Sequence, residues 1–248
     1  MIHAQVQSTQ AGAFIFDATL APAPELAWLD RAHWPARSRE GDGGRGGVLF
    51  ADTPIGACVL RHYHRGGLVA RLSRDTYLWL GNERSRAFRE FRLLARLVDA
   101  GLPVPAPVAA RIERKGLRYR ADLLMRRIEQ AQTLAQRIAA GAIDDRQAQA
   151  IGTTLARFHR HGVWHADLNA HNILIGADGK VWLIDFDRGR LRPPRLAWQR
   201  ANLGRLRRSL DKLGARRVAE FDRRFWHPLL AAYHAQMAQA EDTPKAIA

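Results

Sequence analysis

His165-Ala166-Asp167-Leu168-Asn169-Ala170-His171-Asn172 is a polar octet between apolar runs, and Asp185-Phe186-Asp187 stands eighteen residues beyond Asp167. Val163-Trp164-His165, Ile173-Leu174-Ile175 and Val181-Trp182-Leu183-Ile184 are rich in β-formers, with Asp178-Gly179 as the turn between the last two. A hairpin folded at that turn carries Asp185 back beside Asn172, so two carboxylates and a carboxamide converge from two adjacent turns. A polar turn, or an aspartate ending a strand, arises singly by chance. Four identities at fixed offsets, the hairpin and a third acid at its end are hard to obtain together. Upstream, Asp144 to His161 reads as a helix with Ile151, Leu155 and Phe158 in phase and Gly162 closing it.

This set resembles the catalytic loop and metal-binding segment of the protein-kinase-like fold. The resemblance implies ATP and Mg²⁺: Asp167 accepts or orients the proton of an attacking hydroxyl, while Asn172 and Asp185 hold the metal against the triphosphate. It also assigns upstream parts. Glu90, in Arg89-Glu90-Phe91-Arg92, stands where the family's helical glutamate pairs with a strand-borne cation. That cation is Arg61, where kinases place lysine; its forked guanidinium can still neutralise α- and β-phosphates. Gly44, Gly46 and Gly47 put glycine where backbone must approach phosphate, without the full Gly-x-Gly-x-x-Gly spacing. Leu124 and Met125 are expected to border the nucleotide between two lobes.

Two departures bear on the acceptor. Ala166 replaces the arginine that reads activation-loop phosphorylation, so control of that kind is not expected. The 63 residues after Asp185 contain no Ala-Pro-Glu, so the segment that positions protein substrates is not expected either. A small-molecule or glycan hydroxyl is the expected acceptor.

Val59-Leu60-Arg61-His62-Tyr63-His64-Arg65-Gly66-Gly67-Leu68 and Gly101-Leu102-Pro103-Val104-Pro105, taken with Asp167, Asn172 and Asp185, narrow the resemblance to the lipopolysaccharide kinase family, over roughly Gly41 to Leu213. Its members that act on 3-deoxy-D-manno-octulosonic acid (Kdo) are the nearest in pattern. The resemblance implies transfer of the ATP γ-phosphate to the 4-hydroxyl of Kdo on a lipid A precursor. It also implies a peripheral enzyme at the cytoplasmic side of the bacterial inner membrane. Other sugar kinases of this fold, heptose kinases or aminoglycoside-type phosphotransferases, remain rivals.

The expected architecture is α+β and bilobal. Residues 1–32 read as an N-terminal arm, with Phe14-Ile15-Phe16 as a short strand. Residues 33–125 read as a small lobe with an antiparallel sheet and one helix, Glu83 to Ala100, stopped by Gly101 and Leu102-Pro103-Val104-Pro105. Residues 126–248 read as a helical lobe without the Ala-Pro-Glu segment and with basic C-terminal helices. There Leu196, Leu203, Leu206, Leu210 and Leu213 mark one helix face, and the other faces hold Arg195, Arg200, Arg205, Arg207 and Arg208.

Composition excludes global disorder: 248 residues, 47% of them hydrophobic, can fill a core without a staple. Cys58 is the single cysteine, so no internal disulfide forms and a reducing compartment is the simplest expectation. The N-terminus lacks a secretion pattern, and no run of eighteen apolar residues offers a membrane span. Charge is the unusual feature: 39 Lys and Arg against 24 Asp and Glu leave +15, nearly all of it arginine. Such a field favours polyanionic partners. Arg65, Arg71, Arg74 and the Arg195–Arg208 helix are candidates for acceptor head groups or the anionic inner-membrane surface. GC-rich coding is the competing source of arginine. A non-catalytic nucleotide- or nucleic-acid-binding protein is the rival of another class, but no aromatic platform is interleaved with the basic runs, so no nucleic-acid partner is expected. No obligate protein partner is evident, and His62 and His64 lack a third ligand for a metal.

Overall fold

The computed structural model describes residues 1–34, 40–41, 48–64 and 75–239. Gly44, Gly46, Gly47, Arg65, Arg71 and Arg74 lie outside the described residues. The chain divides into two compact units, Met1–Asp99 with Pro105–Arg127, and Ala100–Val104 with Ile128–Ala248.

The first unit is one antiparallel sheet and one long helix. Its strands are β1 (Ala4–Thr9), β2 (Gly12–Asp17), β3 (Glu40–Gly41), β4 (Val48–Thr53), β5 (Gly56–His62), β6 (Tyr77–Leu78), β7 (Pro107–Lys115) and β8 (Arg118–Arg126). They run in the order β1-β2-β7-β8-β5-β4-β3, with β6 on β8. The β4–β5 hairpin turns at Gly56, whose φ of 109° a side chain would resist. Alternation along these strands sends Phe14, Phe16, Leu49, Leu60, Val108 and Leu124 into one core with Trp28 and Leu29. Residues 4–17, within the stretch read as an arm, thus form two strands of this sheet, and β2 pairs with β7.

Helix α1 spans Arg86–Asp99 and buries Phe88, Phe91, Leu94 and Leu97 together with one charge, Glu90. It begins three residues later than the apolar pattern suggested because Asn82–Arg84 form a 3₁₀ turn and Ser85 caps the helix. The Ser85 hydroxyl accepts from the Phe88 N–H at 3.4 Å.

The second unit contains β9 (Ala131–Thr133), α2 (Leu134–Ala139), α3 (Asp145–Arg160), β10 (Val163–Trp164), β11 (Ile173–Gly176), β12 (Val181–Leu183), β13 (Arg190–Leu191), α4 (Leu196–Lys212) and α5 (His227–Ala238). Thr133 and Gln136 make a reciprocal capping box on α2. Asp144 caps α3 by accepting from the Gln147 N–H at 2.7 Å. Strands β12, β11 and β9 form a small antiparallel sheet, and β10 pairs with β13. Helices α3 and α5 approach closely at Gly152, where a Cβ would stand 2.1 Å from the Leu229 carbonyl oxygen. Beside that contact His159, 2% exposed, shares a hydrogen bond of 2.8 Å with the Tyr233 hydroxyl. The segment Ala100–Val104 belongs to this unit although it links α1 to β7. Arg157 donates to the Gly101 carbonyl at 2.9 Å and the Leu183 N–H to the Pro103 carbonyl at 3.1 Å, while Leu102 and Val104 are buried. No helix among the described residues is long and apolar enough to cross a membrane.

Candidate active site

In the second unit the polar octet forms the turn between β10 and β11, and Asp185 follows β12. The β11–β12 hairpin pairs Ile173 with Leu183, and the ladder continues as the Ile184 N–H donates to the Asn172 carbonyl at 3.1 Å. That register puts Ile184 opposite Asn172 and Asp185 one residue beyond it.

The buried imidazole of His165 ties the two turns together. Its Nδ1 accepts from the Asp167 N–H at 3.2 Å, which leaves Nε2 protonated to donate to the Ile184 carbonyl at 3.0 Å. One ring therefore joins the backbone of the residue that carries the first carboxylate to the residue just before the second. Burial pushes the His165 pKa down, favouring the neutral form that this pattern needs. Phe186 is 1% exposed and packs against His165 and Phe158, ring centroids 4.9 and 5.9 Å away. Asp185 itself has φ +62°, and Arg188 the same, a left-handed backbone uncommon outside glycine. Anchoring Phe186 and His165 on either side holds that conformation in place.

Asn172 is 8% exposed and donates its amide N–H to the Asp167 carbonyl at 2.9 Å, which leaves the carboxamide oxygen as the atom a cation would meet. Asn169 caps the short turn, its Oδ1 accepting from the His171 and Asn172 N–H groups at 2.8 and 3.2 Å. The Asp167 carboxylate is 63% exposed, open to an incoming hydroxyl. A carboxamide oxygen and one carboxylate are hard oxygen donors that suit Mg²⁺, which keeps waters and phosphate oxygens for its remaining positions. Among the described residues no cluster of three or more His, Cys, Asp or Glu offers an all-protein metal cage, and a nucleotide-borne Mg²⁺ needs none.

Helix α4 braces the same loop from the other side. Asn202, 2% exposed, accepts from the His165 N–H at 3.3 Å and donates to its carbonyl at 3.0 Å; the Ser209 hydroxyl accepts from the Ala170 N–H at 3.2 Å. Arg205 lies one turn from each anchor, with its guanidinium 3.9 Å from the Asp167 carboxylate. An open pair of this kind contributes little stability. Its placement instead puts a fixed cation beside the carboxylate that would meet the acceptor.

In the first unit Arg61 on β5 and Glu90 on α1 form an ion pair. Glu90 is 2% exposed and also accepts from the Tyr63 hydroxyl at 2.7 Å, while the Arg61 guanidinium lies 4.7 Å from the centre of the Tyr63 ring. Burial first, then the Glu90 charge, push the Tyr63 pKa well up, so the phenol stays a donor. Leu124 and Met125 on β8 sit opposite Leu60 and Val59. Leu124 is fully buried in the sheet's core cluster, so its side chain serves packing, and Met125 is 7% exposed. The structure thus joins Arg61 with Glu90, and Asp167 with Asn172 and Asp185. The expected glycines fall outside the described residues.

His165 and Tyr63 stand in the quoted motifs with no task assigned by the sequence, and Asn202 and Ser209 lie outside those motifs. Asn202 and Ser209 did leave a signal, as polar interruptions in the Leu203, Leu206, Leu210 stripe of α4.

A family model described as "Lipopolysaccharide kinase (Kdo/WaaP) family" matches residues 31–233. The chain belongs to this family. Among similar proteins, the 3-deoxy-D-manno-octulosonic acid kinase of Stenotrophomonas maltophilia (strain K279a) is 49% identical over 225 residues, 90% of this chain and 89% of that protein. The 3-deoxy-D-manno-octulosonic acid kinase of Xanthomonas axonopodis pv. citri (strain 306) is 50% identical over 212 residues, 84% of each chain. This member of the lipopolysaccharide kinase family is accordingly a phosphotransferase with an alcohol group as acceptor. The family match extends beyond both ends of the sequence resemblance and takes in α4 and most of α5.

Proposed function

We propose that the protein transfers the γ-phosphate of ATP to the 4-hydroxyl of Kdo on a Kdo-bearing lipid A precursor during assembly of the lipopolysaccharide inner core, as a peripheral enzyme at the cytoplasmic side of the inner membrane. The observation that carries the reading is the convergence of Asp167, Asn172 and Asp185 around His165, in a chain half-identical over most of its length to proteins named for that kinase activity.

In this reading Asp167 accepts a hydrogen bond from the acceptor hydroxyl, points its oxygen at the γ-phosphorus and takes up the proton as transfer proceeds. Asn172 and Asp185 are the residues that would hold Mg²⁺, which supplies neutralisation of the phosphate oxygens when bound. Arg61, kept in place by buried Glu90, meets the α- and β-phosphates, and the Tyr63 hydroxyl, donating to Glu90, keeps that carboxylate aimed at Arg61. Arg205 offers a guanidinium to an anionic substituent of the acceptor, such as the Kdo carboxylate. Catalysis on this plan is positioning and charge neutralisation, with no covalent enzyme intermediate.

The test is transfer of labelled γ-phosphate from MgATP by purified protein to three samples: the Kdo-capped lipid A precursor, the precursor without Kdo, and no acceptor. Label on the Kdo-bearing lipid alone, mapped to the 4-position, is the expected result. Label on the precursor without Kdo, or on heptose or aminoglycoside acceptors in preference, would overturn the acceptor assignment. Absence of transfer by folded, ATP-binding protein would overturn the reading as a whole.

A further inference from the structure

The tip of the β7–β8 hairpin, with β6 alongside, carries a surface that the phosphoryl-transfer residues do not use. Leu117 at the turn is 72% exposed, and Leu78 and Leu80 are 59% and 61% exposed. Leu78 pairs with Arg118 in the β6–β8 register, and the Trp79 N–H donates to the Leu117 carbonyl at 2.9 Å. The three leucines are therefore displayed from one hydrogen-bonded piece of backbone. Tyr77 and Tyr119, buried behind them with ring centroids 5.6 Å apart, tie that piece to the sheet.

Cations surround it. The Arg114 guanidinium lies 3.7 Å from the Trp79 ring centre, and its Nε donates to the Gly116 carbonyl at 2.8 Å. Lys115 and Arg118 are exposed, and among the described residues no carboxylate lies within ion-pair distance of either. The neighbouring acids are already matched elsewhere, Glu113 with Arg111 at 3.1 Å, Asp75 with Arg120 at 2.8 Å and Glu83 with Arg92 at 2.5 Å.

Exposed leucines, an amphipathic indole and uncompensated cations at a hairpin tip match an anionic bilayer surface in both respects. Apolar side chains enter the boundary between head groups and acyl chains, and the cations remain among the lipid phosphates. We propose that this tip is a membrane-docking surface for anionic lipid, with Leu78, Leu80 and Leu117 as the inserting residues and Arg114, Lys115 and Arg118 as the head-group contacts. The assignment is independent of which acceptor the kinase uses, because its test reads lipid binding.

The test is co-sedimentation of the full chain with vesicles of phosphatidylethanolamine containing phosphatidylglycerol, and with vesicles of phosphatidylcholine alone. The unaltered protein should bind the anionic vesicles at least about tenfold more tightly, as several cations near the surface require. L78S/L117S should lose at least about tenfold of that partition, since it removes most of the inserted apolar surface. K115Q/R118Q should abolish most of the preference for anionic lipid. Both variants should keep the circular dichroism and sedimentation coefficient of the unaltered protein. Acyl chains brominated near the head group should quench tryptophan emission, and Trp79→Phe should remove most of that quenching, a readout that needs no leucine substitution. Vesicle binding of L78S/L117S equal to that of the unaltered protein would overturn the proposal, as would no binding by the unaltered protein. A fall in mass of vesicle-free protein on L78S/L117S substitution would assign the tip to a dimer contact and overturn it equally.

Discussion

Phenylalanine at position 165 would keep the ring that packs on Phe186 and remove both polar contacts of His165. The Asp167 N–H at 3.2 Å and the Ile184 carbonyl at 3.0 Å would lose their partner. Two lost hydrogen bonds, with at least one backbone group left buried, cost about 2–4 kcal/mol. For a chain of this length that lowers Tm by roughly 5–15 °C, so the variant should still fold at 25 °C. The larger effect falls on turnover. Without the imidazole the direct tie between the two turns is lost and they stay joined through Asn172, whose amide meets the Asp167 carbonyl and whose carbonyl accepts from the Ile184 N–H; misplacement of reacting groups by about 1 Å costs on the order of 10² in rate. Thermal unfolding and steady-state kinetics, measured well below the lowered Tm, separate the two. The expected pattern is kcat down by about 10²-fold with KM for ATP little changed. Turnover of His165→Phe within about threefold of the unaltered protein, alongside the lowered Tm, would refute the bracing role and leave His165 a packing residue.

Further outcomes follow from the same geometry. Asp167→Ala should leave Tm and nucleotide affinity nearly unchanged, because the carboxylate is exposed, while kcat falls by about 10²–10⁴-fold in the phosphate-transfer assay. Glu90→Gln removes the buried charge that faces Arg61 and should destabilise by about 2–4 kcal/mol in denaturant titration, toward the lower end because the amide oxygen can still accept and Arg61 keeps some contact with water, and should raise KM for ATP. His159, its pKa lowered by burial to about 4, and His165, also lowered by burial, are neutral when folded but protonate near pH 6.5 when unfolded. Stability from this source is complete above pH 6.5 and declines as pH falls from there toward 4, by about 3 kcal/mol for His159 alone; denaturation midpoints across that range check it, and a flat profile contradicts it. Gly152→Ala should destabilise by roughly 1–3 kcal/mol, since the added Cβ would stand 2.1 Å from the Leu229 carbonyl oxygen and α3 and α5 would have to move apart.

What the sequence made legible was local or periodic. The phase of Phe91, Leu94 and Val98 gives α1, and the Asp178-Gly179 turn gives the hairpin that brings Asp185 back toward Asn172. Arg61 and Glu90 were paired by resemblance and meet in the structure across β5 and α1. The start of α1 was read early because a 3₁₀ turn looks helical in sequence, and only the Ser85 cap marks the boundary. Residues 4–17 carried no visible tie to the rest because their partner, β7, lies some hundred positions away, and strand pairing at that separation leaves no trace in one sequence. The polar breaks at Asn202 and Ser209 are visible in the α4 stripe, but the loop they hold is not, for the same reason: Asn202 meets His165 across 37 positions.

The Ala100–Val104 strap means that a boundary between the two units cannot be drawn as a point on the chain. The polypeptide changes unit three times, after Asp99, after Val104 and after Arg127. A fragment beginning at Ile128 would lack the Gly101 and Pro103 carbonyls that receive Arg157 and the Leu183 N–H, as well as the buried Leu102 and Val104. The strand that ends at Leu183 leads directly to Asp185, so excision would loosen that carboxylate along with the core. Fusion at one junction could therefore not carry this helical unit whole without β7 and β8. A graft that preserved its chemistry would have to carry the five-residue strap as well, which ties the inheritance of the two units together.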